Sequence, residues 1–380
     1  MKRIYMDYSA TTPVAPEVVD RITYIYSNVY GNPSSIHQTG QDAKLAVDMA
    51  REEIAQFISA KPLEICFTSG GTESDNHAIL GACFANAGTH IISAKTEHKA
   101  VLNTLEYLEE KHGYTITYLP VDTAGNISLS DLKSAIRPET VLVTLMYVNN
   151  EIGTIHPVQE IGRICKENGV LFHTDAVQAF GKIAIDMTTL HVDLLSASAH
   201  KIYGPKGIGF TYIRKGTLVD KFVIGGVQEF DMRGGTENVA AIAGFGKAVE
   251  LCKKNIELDH SHIKELQSYF LNLLKKEITD IHINGSETQR IYSNMNVSFA
   301  GCDGETLLHH LNAKQIDVSS GSACTSGSIE PSHVIQALNI DPKYVESAIR
   351  FGFGRHTTKE EIENVVLCLK QCVDKIRSKP

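Results

Sequence analysis

Short β-rich runs alternate with helical stretches through the first two thirds of this chain, and few folds satisfy that alternation. The runs are EICFTS (64–69), HIISA (90–94), TITYLPV (115–121), TVLVTLMYV (140–148), VLFHTDAV (170–177), DLLSASA (193–199) and GIGFTYI (207–213). Helical connections of roughly 10 to 20 residues are long enough to return the chain to the same end of a sheet, so the pattern predicts an α/β fold whose mostly parallel sheet carries helices on both faces. Ligands of such sheets bind where the strands end. QDAKLAVDMAREEIAQFISA places Leu45, Met49, Ile54, Phe57 and Ile58 at helical spacing. A second long helical pattern runs from about Asn238 to Ile278 and leads into NMNVSFA (294–300) and AIRFGFG (348–354), the strands of a smaller C-terminal domain. At 380 residues the chain exceeds what one domain usually needs.

Charge and apolar patterning exclude several classes of partner. With 36 basic and 44 acidic residues the formal charge is -8, which repels nucleic acid and anionic membranes. The start, MKRIYMDYSATTPVAPEV, has no continuous apolar stretch and does not read as a secretory signal, and no run elsewhere is long enough to span a bilayer. A cytoplasmic protein without membrane or nucleic-acid binding is expected. The eight cysteines are too widely spaced for a zinc finger or ribbon, and in a reducing compartment they are free thiols. Cys368 and Cys372, four apart on a helix, read as two small core residues. Cys324 is different, because SSGSACTSGS (319–328) lacks the bulk to bury it. That composition predicts a mobile loop of about residues 319–331.

The strand ends carry the chemistry. After EICFTS comes GGTESDNHAIL, a glycine pair opening a helix, where free amides favour a phosphate; a capped helix after a tight turn is the plainer alternative. Neither GxGxxG nor GxxxxGK is present, which excludes dinucleotide and P-loop patterns. His98 follows the next strand, and Asn149, Asn150 and Glu151 follow TLMYV. Asp175 ends VLFHTDAV, with Gln178 just beyond; a carboxylate there needs a cationic partner. Lys201 lies between a small-residue strand and a Gly-Pro turn, beside Ser198 and His200. A lysine amine forms a Schiff base with an aldehyde, and an Asp holds a protonated pyridine nitrogen. A phosphate cradle, a ring-facing His, a strand-end Asp and a lysine describe a pyridoxal phosphate site.

The stretches ATTP, YGNPSSIH, TSGGTESDN, TEHKAV, NNEIGT, HTDAVQ, SAHKIYGPKG, RGGTEN, SSGSACTSG and IRFGFGR resemble the cysteine desulfurases of the NifS/IscS type, within the fold-type I pyridoxal phosphate enzymes. The resemblance covers almost the whole chain. It implies a seven-stranded, mostly parallel sheet in a large domain (16–255) and a smaller α+β domain (1–15 with 256–380) bearing the loop of Cys324. By the same resemblance Lys201 holds the cofactor, Asp175 partners its ring nitrogen, and His98 stacks on the ring and moves protons. Gly71, Thr72, Ser198 and His200 hold the phosphate, with Thr236 reaching in from the other subunit of a homodimer. Asn150 and Gln178 contact the ring oxygen and its surroundings, and Arg350, helped by Asn32, grips the carboxylate of L-cysteine. Cys324 takes the substrate sulfur as a persulfide, leaving alanine, and passes it to an iron-sulfur scaffold or another acceptor. No metal site is implied, except that Cys324 is shared with a nascent iron-sulfur cluster on a scaffold. An aminotransferase and a selenocysteine lyase share the fold and stay open as alternatives, as does a sulfur carrier without catalysis. The chain departs from the pattern at Tyr8, in DYSATTP, and at Phe230 and Asp231, in GGVQEFDMRGGT, places expected near the site entrance and subunit contact.

Overall fold

The computed structural model describes residues 3–321 and 331–378. A short strand β1 (Ile4–Tyr5) and two helices, α1 (Pro16–Asn28) and α2 (Gln38–Phe57), precede the main sheet. Its strands are β2 (Ile65–Thr68), β3 (His90–Ala94), β4 (Thr115–Leu119), β5 (Thr140–Thr144), β6 (Leu171–Asp175), β7 (Leu194–Ser198) and β8 (Gly209–Ile213). They lie in the order β2-β8-β7-β6-β5-β3-β4. Within this sheet β8 runs antiparallel to both neighbours while the other pairs are parallel, so six C-terminal strand ends share one edge. The interior strands β3, β5 and β7 are buried at every position, which is why their sequences read as continuous apolar runs rather than as alternation. Edge strand β4 leaves most of its side chains partly open. Helices α3 (Gly71–Ala85), α4 (Lys99–His112), α5 (Leu129–Ala135) and α6 (Val158–Glu167) follow β2, β3, β4 and β5 and supply the crossovers.

Helix α2 forms where its spacing predicts, but its buried stripe is Ala43, Ala46, Val47, Ala50 and Ile54. Leu45 and Met49 stand 59% and 56% exposed. The reason is the partner. Helix α7 (Val239–Glu277) packs against α1 and α2, and its glycines let the backbones approach. A Cβ on Gly246 would sit 2.8 Å from the Ala50 Cβ, and one on Gly244 would sit 2.7 Å from Ile22. Small residues therefore face the contact, and larger ones turn away. At 39 residues α7 is about 58 Å long. Asn238 caps it by accepting from the Ala241 amide at 3.2 Å. Its first half is buried nearly all round, and its second half buries only the stripe Ile263, Leu266, Phe270 and Leu274.

The remaining elements are β9 (Ile281–Asn284), β10 (Asn294–Phe299), α8 (Gly304–Ala313), β11 (Ile316–Asp317), α9 (His333–Ala337), β12 (Ala348–Gly352) and α10 (Lys359–Arg377). Strands β12, β10 and β9 form an antiparallel sheet in that order. Phe270 of α7 packs its ring 4.8 Å from Phe351 on this sheet. Strand β1 pairs in parallel with β11, Ile4 opposite Ile316, and Asp7 bridges to Gly352. That pairing leads residues 7–12 from the C-terminal elements across the edge where the main sheet's strands end. Among the described residues no helix is long and apolar enough to cross a membrane.

Candidate active site

A cavity of about 170 Å³ opens at that edge. Each strand end brings its own residues to it: Gly71 and Thr72 after β2, His98 after β3, Asn150 after β5, Asp175 and Gln178 from β6, and Ser198, His200 and Lys201 from β7. Arg350 enters from β12. Ten residues expected at the site thus line one cavity. Asn32 and Thr236 do not; both are exposed, and Asn32 accepts from the Ser34 amide at 2.9 Å. Cys324 lies outside the described residues.

Helix α3 begins with Gly70 at φ +153°, a conformation glycine reaches at little cost, and has no side-chain cap. Its first amides are therefore free for an anion. A Cβ on Gly71 would stand 2.8 Å from Val177 Cγ2, so the close wall of the cavity depends on glycine. His98 is the N-cap of α4, and its Nδ1 accepts from the Ala100 amide at 3.1 Å. Burial pulls its pKa down against the pull of Asp175, which favours a neutral ring with the proton on Nε2.

Asp175 accepts from the Val177 amide at 2.9 Å. Burial pushes its carboxyl up from the usual range, opposed by His98, the Val177 amide and Lys201. Behind it is Asp75, which sequence reasoning missed although it stands one helical turn beyond Gly71 on the same face of α3. Asp75 is 1% exposed, and burial together with Asp175 pushes its pKa well up, which favours its neutral form. Asp75, His98 and Asp175 each place a donor atom within 4.8 Å of the others. His173 comes within 3.7 Å of Asp75, but burial pulls its pKa down to about 3, and the contact is not an ion pair.

Lys201 Nζ donates to the carbonyls of Ser9 at 2.8 Å and Ala10 at 2.7 Å. Burial, then the charges of Arg350 and Lys182, pull its pKa down to about 7. The amine is therefore a ready nucleophile near neutrality. Gln178 Nε2 donates to the same Ser9 carbonyl at 2.8 Å. His200 Nδ1 shares a hydrogen bond with Thr11 Oγ1 at 3.1 Å, and Thr12 Oγ1 donates to the His200 carbonyl at 2.9 Å. The stretch ATTP and the serine before it thus form a wall of the site through backbone carbonyls, a contribution no side-chain pattern announces.

Arg350 is 1% exposed; its guanidinium donates to Asp7 Oδ1 at 2.9 Å and to the Asn150 carbonyl at 3.1 Å, and Nε is buried without a partner. Asp7 Oδ2 accepts from Ser319 at 2.8 Å. The two departures from the family pattern are placed as follows. Tyr8 is buried at 7% exposed, packed 5.1 Å from the Tyr5 ring and beneath Gly354, where a Cβ would fall 2.1 Å from its ring. Glu229, Phe230 and Asp231 all have positive φ. Glu229 holds this turn from below through a buried bidentate pair with Arg51 at 2.7 and 2.8 Å, and Phe230 stacks on the same guanidinium at 4.9 Å.

This donor set fits pyridoxal phosphate. The uncapped helix start over Gly71 suits a phosphate, the proton-hungry carboxyl of Asp175 suits a ring nitrogen, and the depressed amine of Lys201 suits an aldehyde. Comparison with known proteins agrees. Residues 4–365 match the family described as aminotransferase class-V. A cysteine desulfurase IscS from Dictyoglomus turgidum is 48% identical, over 100% of this chain and 96% of that protein. A solved NifS-like protein superposes with a TM-score of 0.92 at 36% identity, covering 98% of this chain and 100% of the other. SspA, solved in complex with cysteine, gives a TM-score of 0.82 at 35% identity, covering 93% of this chain and 100% of the other. The chain belongs to the class-V aminotransferase family and, within it, is a pyridoxal phosphate-dependent cysteine desulfurase.

Proposed function

We propose that Lys201 holds the cofactor in this cavity and that Cys324 receives the sulfur of L-cysteine as a persulfide, for delivery to an iron-sulfur scaffold or another acceptor. The observation that carries the reading is that Lys201 Nζ, Asp175 and the uncapped start of α3 open on one cavity. Gly71, Thr72, Ser198 and His200 would hold the phosphate, Asp175 the ring nitrogen, and Asn150 and Gln178 the ring oxygen side. When bound, pyridoxal phosphate supplies an electron sink that acidifies the substrate Cα–H and loosens its Cβ–S bond.

The chain's own groups do the rest. Lys201, with a pKa pulled to about 7, exists in both protonation states at neutral pH and serves to take the α-proton. His98, neutral and fixed at Nδ1, carries its exchangeable proton on Nε2. Arg350 orients the substrate carboxylate with the N–H groups that Asp7 and the Asn150 carbonyl leave free, with Asn32 assisting. In the net exchange the Cβ–S bond breaks, a Cys324–S bond forms, and Cβ gains a proton to give alanine. Exposed Ile36 (96%), Ile224 (85%), Tyr30 (80%) and Val227 (79%) support a homodimer whose partner brings Thr236 to the phosphate. Residues 1–15 joining 256–380 as a small domain beside 16–255 is supported by the pairing of β1 with β11. We place the activity in the cytoplasm, by analogy with the bacterial relatives.

The test uses purified enzyme and L-cysteine labelled at sulfur. Cys324→Ala should keep the visible absorbance of the lysine-bound cofactor yet carry no labelled sulfur and release no alanine. Alanine formed by wild type without any added keto acid separates the reading from an aminotransferase. Full turnover by Cys324→Ala would overturn it.

A further inference from the structure

A second lysine stands behind the first. Lys182 Nζ donates to Gln178 Oε1 at 3.0 Å. Gln178 Nε2 donates to the Ser9 carbonyl at 2.8 Å, and that carbonyl also accepts from Lys201 Nζ at 2.8 Å. The chain of contacts therefore runs from Lys182 through the Gln178 amide to the carbonyl that holds the catalytic lysine. An amine donor on one side and a carbonyl acceptor on the other leave the amide a single orientation. Its oxygen faces Lys182, and its NH2 group faces Ser9, which leaves a second N–H on a residue that lines the cavity.

We infer that Lys182 is a positioning residue: it locks the Gln178 amide with the NH2 end toward the cavity, so that this wall recognises an anionic ring oxygen. The inference rests on the assignment of Gln178 to the ring-oxygen side of the cofactor. Without Lys182 the amide could flip and offer its oxygen, which would repel a phenolate. Lysine also suits the task by charge. Burial pulls Lys182 down to about 8, which leaves most of it an ammonium at pH 7. The groups facing it are Cys252, pushed up to about 12 and so an uncharged thiol, the cation Arg350, Lys201, which is partly protonated at neutral pH, and His200, pulled down to about 3 and so neutral. Asp259 and Arg355 line the small cavity that Lys182 shares with Lys201, and they pair with each other at 2.7 Å. No carboxylate neutralises Lys182 directly among these neighbours, so its charge is felt across the Gln178 amide.

The test measures binding rather than turnover. Full-length protein stripped of cofactor is titrated at pH 7 with pyridoxal phosphate and with its 3-O-methyl ether, which cannot form a phenolate. Wild type should prefer pyridoxal phosphate, and Lys182→Met should lose about tenfold of that preference, the scale of one hydrogen bond to a charged group. Lys182→Arg restores a cationic donor and should recover the preference; Lys182→Gln serves if the methionine variant does not fold. Equal weakening toward both ligands in Lys182→Met, or an unchanged preference, would overturn the role of Lys182. If wild type itself makes no distinction between the two ligands, the assignment of Gln178 to the ring oxygen fails instead.

Discussion

Lys201 is placed so that the pH dependence of cofactor capture reports its surroundings. Its amine ordinarily titrates near 10.5 and here is pulled to about 7 by burial, Arg350 and Lys182, against Asp7 and Asp175. Only the neutral amine attacks an aldehyde. With a pKa near 7 the neutral fraction rises from about a tenth at pH 6 to about nine tenths at pH 8, a roughly tenfold gain followed by a plateau. An ordinary lysine would gain about a hundredfold over the same interval and continue to climb beyond pH 9. Rapid mixing of cofactor-free protein with pyridoxal phosphate, followed by visible absorbance and normalised to a simple amine at each pH, removes the cofactor's own titrations. Arg350→Met removes the larger of the two neighbouring charges and should move the plateau to higher pH. The shift also carries a stability sign: the unfolded lysine keeps its proton to about 10.5 and the folded one only to about 7, so between these values the cofactor-free protein gains stability as pH rises. A rate that climbs steadily through pH 9 would refute the burial argument.

The sequence carried the site wherever function sits at the end of a strand. Asp175 and Lys201 stand just where continuous apolar runs meet polar residues, and strand direction alone brings them to one edge. What stayed hidden came from residues far along the chain. Lys201 and Ser9 are 192 positions apart, and the contact is to a carbonyl, so composition and spacing are silent about it. Asp75 falls within TSGGTESDN and Lys182 four residues beyond HTDAVQ, but what each touches is set by the folded cavity and not by the local pattern. The buried face of α2 is hidden for a related reason, since hydrophobicity ranks Leu45 and Met49 above alanine while close packing against glycines selects alanine. Thr236 and Asn32 are exposed and lie outside the cavity.

Three further perturbations separate scaffold from chemistry. Glu229→Gln leaves Arg51 as a buried charge with only half its partner; breaking such pairs costs about 3 kcal/mol, which in a chain of 380 residues lowers Tm by about 4 °C, and a shift under about 1 °C would show that the strained turn at 229–231 stands without the pair. Gly71→Ala drives a methyl group to 2.8 Å from Val177, and cofactor retention, followed by dialysis, should weaken about tenfold while the Lys201 pH profile keeps its midpoint. Glu151 tests whether the chain on either side of residues 322–330 is held for catalysis. Its carboxylate is 1% exposed and accepts a short hydrogen bond from Ser332, the N-cap of α9, while a Cβ on Gly321 would come within 3.2 Å of the same oxygen. One carboxylate thus bonds the C-terminal flank of the segment that carries Cys324 and stands beside its N-terminal flank. Glu151→Ala removes that tie without reaching Lys201 or Asp175, so the visible band and cofactor affinity should persist while single-turnover persulfide formation slows about tenfold, because misplacing a reacting group by a fraction of an ångström is that costly. Cofactor loss in this variant would make Glu151 a support of the cavity instead, and unaltered sulfur transfer would show that the flanks need no such tie.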